Sequence, residues 1–316
     1  MTDANTIDGP AIEAAARRIA PHVRHTPVLC LEGDSHGFSQ PVTLKFEYLQ
    51  HTGSFKPRGA FNRLLQEAIP KAGVIAASGG NHGAAVAYAA QALGVPATIF
   101  VPDATPAAKL LRIAAYGAQV IRGGAFYADA LAASEVRQKA TGALAVHAYD
   151  HPAVLAGQGT VGLEFEADAP ALTHVLVAVG GGGLIGGIAA WYAGRAAVIG
   201  VEPETCPTLH AALDAGAPVA VAVGGLAADS LGAARIGTFG FGVARRFDVP
   251  SVLVTDDAIR DAQHWLWERL RIAVEPGGAT ALAALLSGAF VPPDGARIGI
   301  VLCGANVDLA TMEFGT

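Results

Sequence analysis

Runs of lysine or arginine are missing from this chain, and charged residues make up only 15% of it. With a formal net charge of -6, that balance excludes a nucleic-acid surface, which needs concentrated basic side chains to meet phosphates. Cysteine is scarce too. Cys30, Cys206 and Cys303 are odd in number, far apart and without a CxxC pair, which excludes a zinc ribbon and a disulfide scaffold. The N-terminal stretch MTDANTIDGPAIEAAARR has no apolar signal core, so a cytoplasmic location is expected. One uncharged segment, VLVAVGGGGLIGGIAAWYAG from Val175 to Gly194, has about the length of a membrane span. Four consecutive glycines sit in its middle, and each costs about 1 kcal/mol in a helix. The segment therefore reads as a strand, a glycine turn and a helix, and no membrane partner is expected.

What is present is an apolar chain of 316 residues, 52% hydrophobic, long enough for one large or two medium domains. Much of the apolar content is alanine, and glycine is plentiful, as closely packed layers of helix and sheet require. Short β-rich runs alternate with alanine-rich stretches. GVIAAS precedes a helix from about Ala84 to Leu93, and PATIFVP precedes one with Thr105 as N-cap and Pro106 at its first position. AQVIRGG precedes a helix through Glu135, and ALAVHAY precedes one near Val154 to Glu166. THVLVAVG, AVIGVEP, SVLVTD and ARIGIVLCGAN follow with helical segments between them. Continuous apolar strands alternating with helices imply an α/β fold whose parallel sheet is covered on both faces. Functional loops then belong at the carboxyl ends of the strands, where the glycine turns fall.

Gly180, Gly181, Gly182 and Gly183 lie between a strand and a helix, where bare backbone and free N–H groups suit a phosphate. Gly181, Gly183 and Gly186 also satisfy GxGxxG, with Glu202 at the end of the next strand as a ribose-binding acid would be. That pattern keeps a nicotinamide-dependent oxidoreductase open. ASGGNHG places Ser78, Asn81 and His82 among glycines at another helix start, a setting for a carboxylate or phenolate oxygen. In HTGSFKPRGAFNRL, Lys56 sits at the start of a helix, where the backbone dipole favours anions rather than a cation.

Taken in order, GSFKPRGA, ASGGNHG, LAGQGT, VGGGGL, VEPGGA and VLCGAN resemble the fold-type II pyridoxal-phosphate enzymes of the serine/threonine dehydratase and serine racemase group. The resemblance runs from His25 to the end of VLCGANVD. It implies a two-domain fold like the tryptophan synthase β chain, with parallel-rich sheets flanked by helices. The larger, cofactor-binding domain would span residues 1–69 and 148–316, and a smaller mobile domain residues 70–147. The cofactor implied is pyridoxal 5'-phosphate. Lys56 matches the lysine that forms the Schiff base and later removes the Cα proton, a task helped by any setting that disfavours its ammonium form. Phe55 matches the residue packed on the pyridine ring, and Asn81 the partner of its phenolic oxygen. Gly180, Gly181, Gly182, Gly183 and Leu184 match the phosphate cradle. Cys303 matches the residue facing the ring nitrogen, and Glu275 a nearby carboxylate. Ser78, Gly79, Gly80, Asn81 and His82 would hold the substrate carboxylate.

The implied reaction is β-elimination of water from threonine or serine, giving a 2-oxo acid and ammonia. Alternatives within the fold are a serine racemase, an ammonia-lyase for 3-hydroxyaspartate or phenylserine, and a β-replacement enzyme. The last usually carry SxKDR where this chain reads SFKPRG. A cofactor-binding regulatory protein without turnover is a further alternative. Gly79 replaces the serine that racemases of the group use for reprotonation, so weak or absent racemisation is expected. Some relatives bind a divalent ion through a Glu and an Asp. Glu202 matches the Glu, but Thr208 stands at the Asp, so the metal is left unassigned. Tyr127, Tyr149, Asp150 and the segment Ala228–Ala233 are candidates for the substrate side-chain wall. The resemblance further implies a homodimer acting on a small amino acid, and the end at Thr316 implies no appended regulatory domain.

Overall fold

The structure, a computed structural model, describes residues 7–33 and 37–309. The first six residues and the chain end at Thr316 lie outside them. Among the described residues ten strands occur in chain order: β1 (Val28–Leu31), β2 (Val42–Lys45), β3 (Val74–Ala77), β4 (Ala97–Val101), β5 (Gln119–Arg122), β6 (Leu144–Ala145), β7 (His174–Ala178), β8 (Ala197–Pro203), β9 (Ser251–Val254) and β10 (Ile298–Val301). The helices are α1 (Gly9–Ile19), α2 (Lys56–Leu64), α3 (Asn81–Ala92), α4 (Ala107–Ala115), α5 (Tyr127–Thr141), α6 (Pro152–Asp168), α7 (Gly183–Tyr192), α8 (Thr208–Ala215), α9 (Ala228–Leu231), α10 (Thr238–Arg246), α11 (Asp256–Leu270) and α12 (Pro276–Leu286).

The strands form two sheets, in the orders β1-β2-β10-β7-β8-β9 and β5-β4-β3-β6. Every pairing is parallel except that of β1, which lies antiparallel to β2 at the edge of the larger sheet. Strands β2, β3 and β10 are buried along their whole length, as strands covered by helices on both faces must be. The stretch from Val175 to Gly194 is β7, the glycine turn and α7, and no helix of the described residues is long and apolar enough to cross a membrane.

Glycine allows the close layers. A Cβ on Gly187 of α7 would sit 2.4 Å from the Leu155 carbonyl of α6, and one on Gly159 of α6 would sit 2.8 Å from the Gly187 carbonyl. The two helices therefore touch backbone to backbone. The smaller sheet packs with α3 in a core that also takes in Ile19, Ala60, Phe61 and Leu64 from α1 and α2.

Several boundaries differ from the sequence reading. Helix α3 starts at Asn81, three positions before the expected Ala84, because the Ser78–Gly80 turn leads straight into it. Helix α4 is not capped by Thr105. Pro106 is extended (φ −57°, ψ 142°) and takes the N-cap place, while the Thr105 side chain packs against Gly79. Helix α6 begins at Pro152, where His151 Nδ1 accepts the Ala153 N–H. Helix α5 runs past Glu135 to Thr141 and ends on left-handed Gly142.

Candidate active site

The loop that carries Lys56 is pinned to the last strand. Ser54 bridges Gly304, and the Phe55 N–H donates to the Cys303 carbonyl at 3.1 Å. Two successive left-handed residues, Thr52 (φ 62°) and Gly53 (φ 74°), turn the chain into this position. A side chain at 53 would strike the Asn306 amide, with its Cβ 2.5 Å from Oδ1. Lys56 then opens α2, its Nζ donating to the Ala148 carbonyl at 3.0 Å and standing 5.0 Å from the centre of the Phe55 ring. Burial lowers the Lys56 pKa from 10.5 to about 8, against Cys303 and Glu275, which act in the opposite sense. Among the described residues no ion pair holds the ammonium form. The result is an amine with a far larger neutral fraction at neutrality than an exposed lysine has.

The cavity above Lys56 is lined by Phe55, Asn81, Tyr149, Gly180–Leu184, Ser230, Glu275 and Cys303. Elements far apart in sequence meet there: the ends of β7 and β10, the start of α3 and the start of α12. At the glycine turn the N–H groups of Gly180, Gly181 and Gly182 have no protein acceptor among the described residues. Those of Gly183, Leu184 and Ile185 open α7, where a helix leaves its first donors unpaired. Gly182 is left-handed (φ 85°). A Cβ on Gly180 would lie 2.7 Å from the Leu231 carbonyl oxygen, and one on Gly181 would lie 2.2 Å from the Tyr149 ring. Only bare backbone fits, and the donors are arranged for a compact anion.

Asn81 is oriented from both sides. Its Nδ2 donates to Glu275 Oε1 and its Oδ1 accepts from Asn306 Nδ2, each at 2.6 Å. One amide hydrogen of Asn81 remains for a ligand oxygen. Glu275 is buried, and burial raises its pKa to about 7 despite the Asn81 hydrogen bond. The Cys303 thiol donates to the Gly277 carbonyl at 3.3 Å, and burial pushes its pKa up. It is a neutral thiol, a weak donor without charge.

The Ser78–His82 loop is only partly turned towards the cavity. Gly79, Gly80 and Asn81 line a space shared with Lys109, Arg112, Asp229, Glu275 and Asn306. Ser78 Oγ accepts the Gly80 N–H at 3.2 Å. The His82 imidazole points the other way: it is buried, bonds the Val146 carbonyl at 2.8 Å, and burial lowers its pKa to about 3. His82 can serve a ligand through its backbone N–H but not through its ring.

The four wall candidates separate. Tyr149 covers Gly181, with its hydroxyl 3.3 Å from the Arg235 carbonyl. Asp150 accepts the Phe239 N–H at the start of α10 and is structural. Tyr127 is surface-exposed and does not line the cavity above Lys56. From Ala228–Ala233, Ser230 accepts the Gly277 N–H at the cavity edge, and Asp229 pairs with Lys109 of α4. That ion pair joins the helices of the two sheets across the opening. Neither Lys109 nor Arg112 was singled out from sequence, because a lysine and an arginine on an amphipathic helix look like any solvated face.

Glu202 settles the GxGxxG pattern. It is fully buried, and it accepts from the N–H groups of Leu209 (2.7 Å) and His210 (2.8 Å) and from Ser251 Oγ (2.6 Å). A carboxylate so enclosed reaches no ribose.

Residues 19–304 match the family described as "Pyridoxal-phosphate dependent enzyme", and the chain belongs to that family. Its cofactor is pyridoxal phosphate, and the glycine turn, the Lys56 amine and the oriented Asn81 amide fit that group. Two curated relatives bear on the chemistry. The L-threonine ammonia-lyase of Geobacter sulfurreducens is 40% identical over 96% of this chain and 76% of its own length. The phenylserine dehydratase of Ralstonia pickettii is 36% identical over 98% of both chains. Among solved structures, maize serine racemase superposes with a TM-score of 0.91 at 34% identity, covering 96% of this chain and 95% of its own.

Proposed function

We propose that this enzyme eliminates water from a β-hydroxy amino acid, threonine or serine foremost, and releases a 2-oxo acid and ammonia. The observation that carries the reading is the Lys56 amine, buried, without an ion-pair partner and brought down to about 8, facing a cavity closed by the anion-binding glycine turn. The similarity to the Geobacter ammonia-lyase and the Ralstonia dehydratase supports the elimination chemistry.

When bound, the pyridoxal group supplies an electron-withdrawing ring conjugated to the substrate nitrogen, which acidifies the Cα–H. The rest falls to this chain. The N–H groups of Gly180–Leu184 would hold the phosphate, Phe55 would support the ring, and the free Asn81 hydrogen would donate to the phenolic oxygen. Glu275 and Asn306 keep that amide in orientation. The uncharged Cys303 thiol would face the ring nitrogen and would supply it no counter-charge. Gly79 and the first N–H groups of α3 hold the substrate carboxylate, with the Gly80 N–H engaged by Ser78 Oγ. Lys56, neutral, takes the Cα proton, the electrons of that bond form the Cα–Cβ double bond, the Cβ–O bond breaks with its electrons on oxygen, and the β-hydroxyl takes a proton from the Lys56 ammonium and leaves as water. The released enamine takes up water and loses ammonia. Movement of the smaller lobe on its ends near residues 70 and 147, a homodimeric assembly and a cytoplasmic location belong to the same proposal.

A second reading, serine racemisation, has the similarity to maize serine racemase in its favour. Gly79 argues against it. It has no side chain to deliver a proton, and a Cβ there would lie 2.7 Å from Thr105 Cγ2, so a serine hydroxyl has no ready place. The test is a panel of threonine, serine, 3-hydroxyaspartate and phenylserine, assayed for ammonia and 2-oxo acid, with chiral analysis of residual serine. Turnover of at least one substrate with no rapid build-up of D-serine is expected. Racemisation faster than elimination would reverse the assignment.

A further inference from the structure

Behind the glycine turn lies a polar cluster that the reaction leaves unused: Glu202 at the end of β8, Thr208 at the start of α8 and Ser251 at the start of β9. The resemblance implies that some relatives hold a divalent ion through a Glu and an Asp at the positions of Glu202 and Thr208. The residues here do not fit one. Both Glu202 oxygens are engaged by protein donors, Thr208 brings no charge, and no group of three acidic, histidine or cysteine side chains among the described residues could hold a metal. A divalent ion asks for several oxygen ligands, carboxylates among them.

Thr208, fully buried, does something else. Its Oγ1 lies 2.5 Å from the Gly180 carbonyl oxygen and 3.1 Å from Glu202 Oε1. A hydroxyl has one proton, and the shorter contact, to the Gly180 carbonyl, takes it. The Gly180 carbonyl and the Gly181 N–H are the two ends of one rigid peptide plane. A donor on the carbonyl fixes the tilt of that plane and polarises its N–H, strengthening it towards an anion. We propose that Thr208 is the positioning residue of the phosphate cradle, and that it makes the cradle of this enzyme independent of a divalent cation.

The inference rests on membership of the pyridoxal-phosphate family rather than on the elimination reaction, so its test reads binding and not turnover. Apo forms of the wild type, Thr208→Val and Thr208→Ser are titrated with pyridoxal phosphate, and their thermal midpoints are followed with and without inorganic phosphate. Thr208→Val keeps shape and loses the donor. It is expected to bind the cofactor about tenfold or more weakly, equivalent to about 1.4 kcal/mol, and to lose the stabilisation by phosphate. Thr208→Ser restores both. If the valine variant does not fold, Thr208→Ala is titrated in its place with the same expected loss. In the wild type, EDTA followed by Mg²⁺ or Mn²⁺ is expected to leave the cofactor affinity unchanged. Wild-type affinity in the donor-less variant, or loss of cofactor in EDTA with recovery on adding the ion, would overturn the proposal.

Discussion

Lys56→Ala is expected to stop 2-oxo acid formation, with a loss of at least about 10³-fold, since the residue is assigned both the covalent attachment and the proton transfer, and a positioned base alone contributes about 10²–10⁴-fold. The same substitution should leave the fold intact. Among the described residues the Lys56 side chain hydrogen-bonds the Ala148 carbonyl alone, and burial works against its charge. The sign of the pH dependence follows from its lowered pKa. Between about 8 and the unfolded value of 10.5, the unfolded chain carries a proton that the native apo chain lacks. The native state therefore gains stability as pH rises through that window. Below about 8 both states carry the proton, and the native state bears the full penalty of burying it. Equilibrium unfolding of apo wild type and apo Lys56→Ala across this range should show the wild type gaining on the variant from about pH 8 upwards. Capture of pyridoxal phosphate by the apo wild type should accelerate as pH rises towards 8, because only the neutral amine attacks. A Lys56→Ala variant that kept the wild-type rate would end the assignment.

Arg58→Met should have the largest effect on stability. The Arg58 guanidinium is fully buried and forks between two carboxylates. It reaches Glu47 at 2.5 and 3.0 Å and both Glu164 oxygens at 2.7 Å, with Thr160 at 3.1 Å. Burial opposes its charge, but Glu47 and Glu164 outweigh that and raise its pKa further. Lys45, also buried, joins the cluster from β2 through Glu164 at 3.2 Å and Asp168 at 3.0 Å. The network ties β2, α2 and α6 together one turn from Lys56. Methionine fills most of the volume but leaves the carboxylate of Glu47 buried without its partner. Breaking a buried pair from one side costs about 3–5 kcal/mol, which chemical denaturation reads directly. Arg17→Ala provides the contrast: its contact with Glu13 is exposed and 3.8 Å long, and the expected change is within about 0.5 kcal/mol. A loss for Arg58→Met no larger than that for Arg17→Ala would show the network to be dispensable.

The sequence made legible those parts of the site where backbone geometry forces residue choice. Four glycines between a strand and a helix, a lysine before Pro57 and an Asn in a glycine turn are visible because few other residues fit. Side chains that act across long sequence separations are not visible in this way. Glu47, Arg58 and Glu164 are ordinary charges in a string, and only the packing of α2 on α6 makes them a network. Arg112 and Lys109 are hidden for the same reason. The turn of the His82 ring towards the Val146 carbonyl is not legible either, since a helix start fixes where a backbone N–H points but not where a ring goes. The Thr105 cap failed because Pro106 can stand at an N-cap as well as inside the first turn. Glu202 could be placed in a motif, but its saturation by Leu209, His210 and Ser251 depends on how α8 folds back over β8.

The central claim is that the Lys56 nitrogen is the point at which pyridoxal phosphate is attached, with the phosphate on the glycine turn. Borohydride reduction of the purified holoenzyme followed by peptide mass analysis tests it most directly. The account predicts a yellow protein that loses its visible band on reduction and carries one phosphopyridoxyl group, on the peptide containing Lys56. A label on Lys45, Lys109 or any other lysine, or no label from a protein saturated with cofactor, would contradict it.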